Sequence, residues 1–382
     1  MHTNIKIRIS FLSLLIYSSF NSFGQLNNSA FNIPASLNEA DSNKLFLGIE
    51  NGNYFKNNYY YNNFEVGYKE IGWFLQPTLE YHPSGNTRLS AGVHMLKYSG
   101  LETLTRFTPV LSFQYQMVPG SNLIIGTIYG TTNHRLIEPI FQFDRYNQNH
   151  VENGFQFLFD KKHIWSDLWM NWETFIFDRS PIQEQFTVGT STLVKLNDPE
   201  SRLQIQIPIQ TLIMHKGGMH TIVEAHVQTY LNYVYGINVE YTLQGKLFQN
   251  VAFRGYMVNY QDLSYVGVQP FQQGKGFYPN ILIEGKMLDL MLGYWNAQKF
   301  IAPRGEYLFQ SVSSANVDTF REAQRRLLNF KFALHHTIHR GIEAGARLEA
   351  YMDLTHKNID YTYSLFISFN RKLFLHEMKE FR

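Results

Sequence analysis

From residue 342 to 353 the chain reads IEAGARLEAYMD, with an apolar residue at every second position. Ile342, Ala344, Ala346, Leu348, Ala350 and Met352 alternate with Glu343, Gly345, Arg347, Glu349, Tyr351 and Asp353. Ala, Glu, Arg and Leu favour helix, and Glu343 and Arg347 have the spacing of a helix-surface ion pair. A helix turning about 100° per residue would still scatter the apolar set around its circumference, whereas a strand gathers it on one face. The period predicts a strand with one oily side and one densely charged side.

The alternation recurs along the chain. In IDYTYSLFISFN (359–370), Tyr361, Tyr363, Leu365, Ile367 and Phe369 share a face. In SRLQIQIPIQTLIM (201–214), Leu203, Ile205, Ile207 and Ile209 oppose Gln204, Gln206 and Gln210. RLLNFKFALHHTI (326–338), WFLQPTLEYH (73–82), TRLSAGVHMLKY (87–98) and EQFTVGTSTLVK (184–195) carry the same pattern. Turn-forming clusters such as PSGN (83–86), PGSN (119–122), HRG (339–341) and THKN (355–358) separate the segments.

A soluble sandwich and a membrane barrel both use such strands, and segment length separates them. Runs of roughly 10–13 residues suit a tilted bilayer crossing, while soluble strands average about 5–6. Tyr361 and Tyr363 at one end of the last apolar face and Phe369 at the other resemble interfacial girdles. The chain is therefore expected to be all-β: a transmembrane antiparallel up-and-down β-barrel of about 16 strands, with 14–18 compatible. Counting back from the last strand makes HRG periplasmic and THKN extracellular. The stretches 262–275 and 299–325 then become extracellular loops, and residues 314–328 of the second could form a short helix. Region 220–244 reads as one hairpin or a more irregular pair.

The N-terminus adds a location. Lys6 and Arg8 precede an apolar run from Ile9 to Phe20, and Ser22 and Gly24 are small residues before Gln25. This pattern predicts a secretory signal peptide over 1–24, its core too short for a spanning helix of about 20 residues. A single barrel domain over 25–382 would then reside in the cell outer membrane, in contact with its lipid.

Composition narrows the chemistry. The chain has 382 residues, a net charge of +2 and no Cys, so disulfides and thiolate metal sites are excluded. No basic block is present, which argues against a nucleic-acid partner. Aromatics reach 16% and charged residues 17%, in keeping with an exported β protein.

The inward faces supply the candidate binding residues. In IWSDLWMNWETFIF (164–177), Asp167, Trp169, Asn171 and Glu173 share the polar face, where a tryptophan beside carboxylates could stack on a sugar or pack the lumen. Glu343, Arg347, Glu349 and Asp353, with Lys331 and Arg254, form a mixed-sign set that could orient a passing solute or close into an ion-pair network. His215, His220 and His226 lie near one turn and His335, His336 and His339 near another. Neither group has metal-ligand spacing, so no metal and no cofactor is implied. Ser364 and His335 both point inward two strands apart, a serine–histidine pair of the type a hydrolase needs, and no G-x-S-x-G occurs.

NHRLIEPIFQFD (133–144), HIWSDLWMNWETFI (163–176), QEQFTVGTS (183–191) and a leader ending in FGQ resemble an uncharacterised family of Bacteroidota outer-membrane β-barrel proteins. The resemblance implies fold and location and brings no mechanism. Glu138 of LIEP and Glu173 of NWE would pin loops or the lumen. Three functions follow as expectations. The first is a porin-like channel for small polar solutes through a Gln/Glu/Arg-lined lumen. The second is a non-conducting accessory subunit with a protein partner in an envelope assembly, secretion or surface-attachment complex. The third is a lipid- or glycan-modifying enzyme.

Overall fold

The computed structural model describes residue 26, residues 28–313 and residues 319–378. The expected signal peptide lies outside the described residues. Sixteen strands run in chain order. The first eight are β1 (Lys44–Tyr59), β2 (Lys69–Ser84), β3 (Thr87–Tyr98), β4 (Arg106–Val118), β5 (Ser121–Thr127), β6 (Asn153–Lys161), β7 (Ile164–Thr174) and β8 (Glu184–Lys195). Then follow β9 (Leu203–Gly217), β10 (Gln228–Thr242), β11 (Phe248–Asp262), β12 (Gln273–Gly285), β13 (Leu288–Gln298), β14 (Gln324–His339), β15 (Ile342–Asp353) and β16 (Ile359–Glu377). Each pairs antiparallel with its sequence neighbours, and β1 pairs with β16 to close the barrel. Closure removes the sheet edges that a bilayer would leave unsatisfied.

The period-2 pattern sets which face is which. On β15, Leu348 and Met352 are exposed on the outer wall while Arg347, Tyr351 and Asp353 are buried inside. Phe330, Ile281, Phe253, Ile209 and Leu168 extend the exposed apolar band around the barrel. Tyr59 stacks on Tyr361 at one rim, with ring centroids 5.1 Å apart. Turns of two to seven residues occupy the end shared by the start of β1 and the close of β16, and loops of five to 25 residues occupy the other. Short turns face the periplasm and long loops the exterior in such barrels, and the loops fall where the sequence pattern put them.

Two local expectations change. Residues 314–318 of the expected short helix lie outside the described residues, and the remainder is not helical. Arg321 bridges to Val312 and β14 begins at Gln324. The buried Arg325 guanidinium meets the Asp353 carboxylate across the lumen wall, which favours extended backbone at that point. Region 220–244 resolves into a loop followed by the single strand β10.

The wall is uneven. β5 has 7 residues and β6 has 9, against 11 to 19 in the other strands. Two-residue turns keep the periplasmic ends of β5 and β6 level with β4 and β7, so the shortfall lies at the outer rim.

The lumen is filled. The 25 residues between β5 and β6 and the 25 between β13 and β14 both fold inward. Ile137, Ile140, Phe300, Ile301, Leu308 and Phe309 form one buried apolar cluster with inward aromatics of the wall such as Trp169, Tyr278 and Trp295. The two plug loops clasp each other through Gln142 N–H to the Arg304 carbonyl (2.8 Å) and Glu306 N–H to the Glu138 carbonyl (3.0 Å). Gly305 is required at that clasp, because a Cβ there would stand 2.0 Å from the Pro139 carbonyl oxygen. From the periplasmic side, residues before β1 enter the same space. Phe31 packs on Phe366 (4.7 Å) and Phe143 (5.2 Å), and Gln114 Nε2 donates to the Ala35 carbonyl at 2.6 Å.

Candidate functional site

The inward carboxylates and cations of the wall meet the plug. Lys331 Nζ lies 2.5 Å from Glu138 Oε2 and 2.7 Å from Glu349 Oε2, and the Tyr351 hydroxyl, with one proton to donate, lies within hydrogen-bond distance of both carboxylates at 2.8 and 2.7 Å. Arg347 donates to Asn28 Oδ1 at 2.6 Å, with its guanidinium 4.5 Å above the Phe143 ring. Asp353 holds Arg325 and accepts the backbone N–H groups of Thr355 and His356 at 2.7 and 3.0 Å. Glu343 stands apart toward the periplasmic rim, accepting the Thr337 hydroxyl at 3.2 Å. Arg254 is buried on β11, opposite Asn238 and Asn280. Ser364 and His335 are not brought together, since His335 Nε2 turns to Asp289 of β13 at 3.2 Å. Glu322, Asp353 and His356 carry ligand-type atoms within 4.8 Å of one another, and Arg325 already supplies positive charge to two of them.

On β7, Asp167 and Trp169 grip the first plug loop. His134 Nδ1 is 2.8 Å from Asp167 Oδ2, its Nε2 is 3.1 Å from Glu152 Oε2, and its ring lies on Trp169. The aromatic face that could have stacked a sugar is thus covered from within. Gly189 makes room, because a Cβ there would lie 2.1 Å from the indole. Burial disfavours the charged imidazole of His134, but Glu152 and Asp167 outweigh it and raise its pKa to about 9.

One region is open rather than packed. A chamber of about 490 Å3 lies inside the outer rim, lined by His94, Arg106 and Thr108 of β3 and β4. Asn171, Glu173 and Gln185 of β7 and β8, and Arg145, His150 and Arg304 of the plug loops, are also part of its lining. Glu173 accepts Arg304 bidentately at 3.1 and 2.8 Å, with Gln185 and Thr187 on the same carboxylate and Arg145 at 3.7 Å. Arg106 instead donates to the Gln148 carbonyl (3.1 Å) and Asn149 Oδ1 (2.9 Å). Three guanidiniums against one carboxylate leave the lining positive.

A hydrogen-bonded chain orders the histidines. Gln76 Nε2 donates to Glu50 Oε2 at 3.4 Å, which turns Gln76 Oε1 toward His94 Nδ1 at 3.2 Å. An amide oxygen only accepts, so Nδ1 carries the proton and Nε2 keeps its lone pair. The other Glu50 oxygen holds His150 Nε2 at 3.2 Å, and the two imidazoles stack at 5.0 Å.

A family model described as lipid A 3'-O-deacylase-type matches residues 37–378. That span reaches from just before β1 to just after β16. The chain belongs to the lipid A 3'-O-deacylase-type family. No curated protein matches it. Among solved structures, this member of the lipid A 3'-O-deacylase-type family is similar to a loop L8 deletion mutant of OmpT, an outer membrane protein of Vibrio cholerae. The identity is 10%, covering 86% of this chain and 100% of that one, with a TM-score of 0.51. It is also similar to OpdL of Pseudomonas aeruginosa, at 12% identity over 86% of this chain and 99% of that one, TM-score 0.49. At such identities the likeness is one of fold, the outer-membrane β-barrel.

Of the sequence candidates, Asn171 and Glu173 line the chamber, and Asp167, Trp169, Lys331, Arg347, Glu349 and Asp353 engage the inserted segments or the loops at the outer rim. Sequence reasoning passed over His94, Arg106, Arg145, His150 and Arg304. Three of these sit in loops, where no period assigns a direction. A readable signal was the apolar run LIEPIF (136–141), too oily for a loop in water.

Proposed function

We propose that this barrel hydrolyses an ester-linked acyl chain of lipid A, the third of the functions expected from sequence, with the outer-rim chamber as the reaction site. The family match supplies the reaction class. The observation that carries the site is His94, whose Nδ1 is fixed by Gln76 so that Nε2 is left as a base in a chamber lined by arginines. His94 takes a proton from water, the hydroxide adds to the ester carbonyl, and the carbon–oxygen bond to the sugar breaks. The proton passes from His94 to the departing sugar oxygen, giving a free fatty acid and a sugar hydroxyl. Arg106, Arg145 and Arg304 attract the phosphorylated sugar.

The test is the lipid A profile of a Gram-negative host expressing the protein, read by mass spectrometry. The wild type should remove one ester-linked chain, and His94→Ala should restore the host profile while the barrel still migrates as folded. An unchanged profile from folded wild-type protein would refute the reading.

A further inference from the structure

The chamber meets the shortened part of the wall. Thr127 closes the outer end of β5 with its hydroxyl on the Leu111 N–H (3.2 Å), and β4 runs five residues beyond, from Val110 to Arg106. At about 3.4 Å per residue that is roughly 17 Å of strand. β3 pairs one side of this stretch, and among the described residues no strand pairs the other. Across the gap, Gly154 pairs with Asn171, and β7 continues through Trp172 to Thr174 with only β8 beside it.

Three observations mark this gap as a built feature. Leu111 directs its N–H to the gap side, so the residue two positions along would do the same, and that residue is Pro109, which has no N–H to leave unpaired. Asn171 and Glu173 face inward and Trp172, paired with Phe186, faces outward, yet all three line the chamber, which therefore reaches the strand edge where β7 bulges between Trp172 and Thr174. Phe107, Trp172, Phe175 and Phe177 are exposed around the opening. Such aromatics mark the head-group layer, where open backbone groups can be hydrated, as they could not be in hydrocarbon.

We propose that the gap between β4 and β7 is a lateral portal through which the phosphorylated sugar head group of an outer-leaflet lipid enters the arginine-lined chamber, its acyl chains remaining in the bilayer. The choice of lipid A rests on the hydrolase reading, whereas the portal rests on the wall. Arg106 stands at the mouth and would meet the phosphate first.

The test replaces Thr108, which faces inward, with the photoreactive residue p-benzoylphenylalanine and irradiates outer membranes of the expression host. Phe107, facing lipid, is the positive control, and Asn238, inward on β10, is the negative one. Asn153 is a second portal position should the Thr108 variant not fold. Lipid A adducts are expected at 107 and at 108 or 153, with none at 238. Arg106→Glu should cut the inward adduct at least tenfold and leave the adduct at 107 intact. Adducts at 107 alone would overturn the portal. Inward adducts formed only with water-soluble phosphorylated sugars, and none with lipid A, would make the occupant a soluble phosphate and overturn the lipid assignment. Adduct without acyl release would refute the hydrolase reading and keep the portal. Acyl release with no inward adduct would do the reverse.

Discussion

The imidazole of His134 lies flat on the indole of Trp169, with ring centroids 3.7 Å apart and planes 10° from parallel. The stack ties a plug loop to the wall, and the carboxylates of Glu152 and Asp167 hold both ring nitrogens. A cation buried against an aromatic face and two acids is worth most while it stays charged.

That dependence has a sign. The His134 pKa rises from about 6.5 unfolded to about 9 in the folded protein. Its contribution is fully present below pH 6.5 and is lost as pH climbs through about 9. Limited proteolysis of the 128–152 loop should accelerate between pH 7 and pH 10 in wild type. The His134→Gln variant should be cleaved faster at neutral pH and show a flatter profile. Identical wild-type cleavage at both pH values would contradict the anchor.

Lys331 neutralises two carboxylates, Glu138 of the plug and Glu349 of the wall. Lys331→Ala leaves both buried without a cation, and removal of one partner from such a site costs about 3–5 kcal/mol. The double variant Lys331→Met/Glu138→Gln should recover part of that loss, measured by urea unfolding in micelles. Equal stability of the single variant and wild type would place the network on the solvated side.

The filled lumen predicts poor conduction. In planar bilayers the folded protein should show unit steps far below those of an open barrel of this strand number. Replacing residues 136–143 with a Gly/Ser segment should raise the steps severalfold. Large steps from the wild type would favour the porin-like expectation.

The barrel was legible because its physics is local. A strand between lipid and lumen must alternate, and the alternation of 342–353 or 201–214 shows in the residue types alone. The interior was harder. Glu138 and Lys331 are 193 positions apart and meet only because the 128–152 loop turns inward. Pattern reading also treats loops as external, so the oily runs at 136–141 and 300–309 carried no direction. His94 was visible on its strand, but its role depends on Gln76 and Glu50 of two neighbouring strands.

The segment before β1 has a bearing on assembly. Leu26, Asn28 and Phe31 are enclosed by the finished cylinder, with Asn28 bound to Arg347 and Phe31 wedged beside Phe366. A sealed tube cannot easily be loaded afterwards. The β1–β16 seam should therefore be the last joint to form, zipping shut around contents already in position, and a tag fused close to Leu26 should arrest biogenesis where the same tag after Glu377 does not.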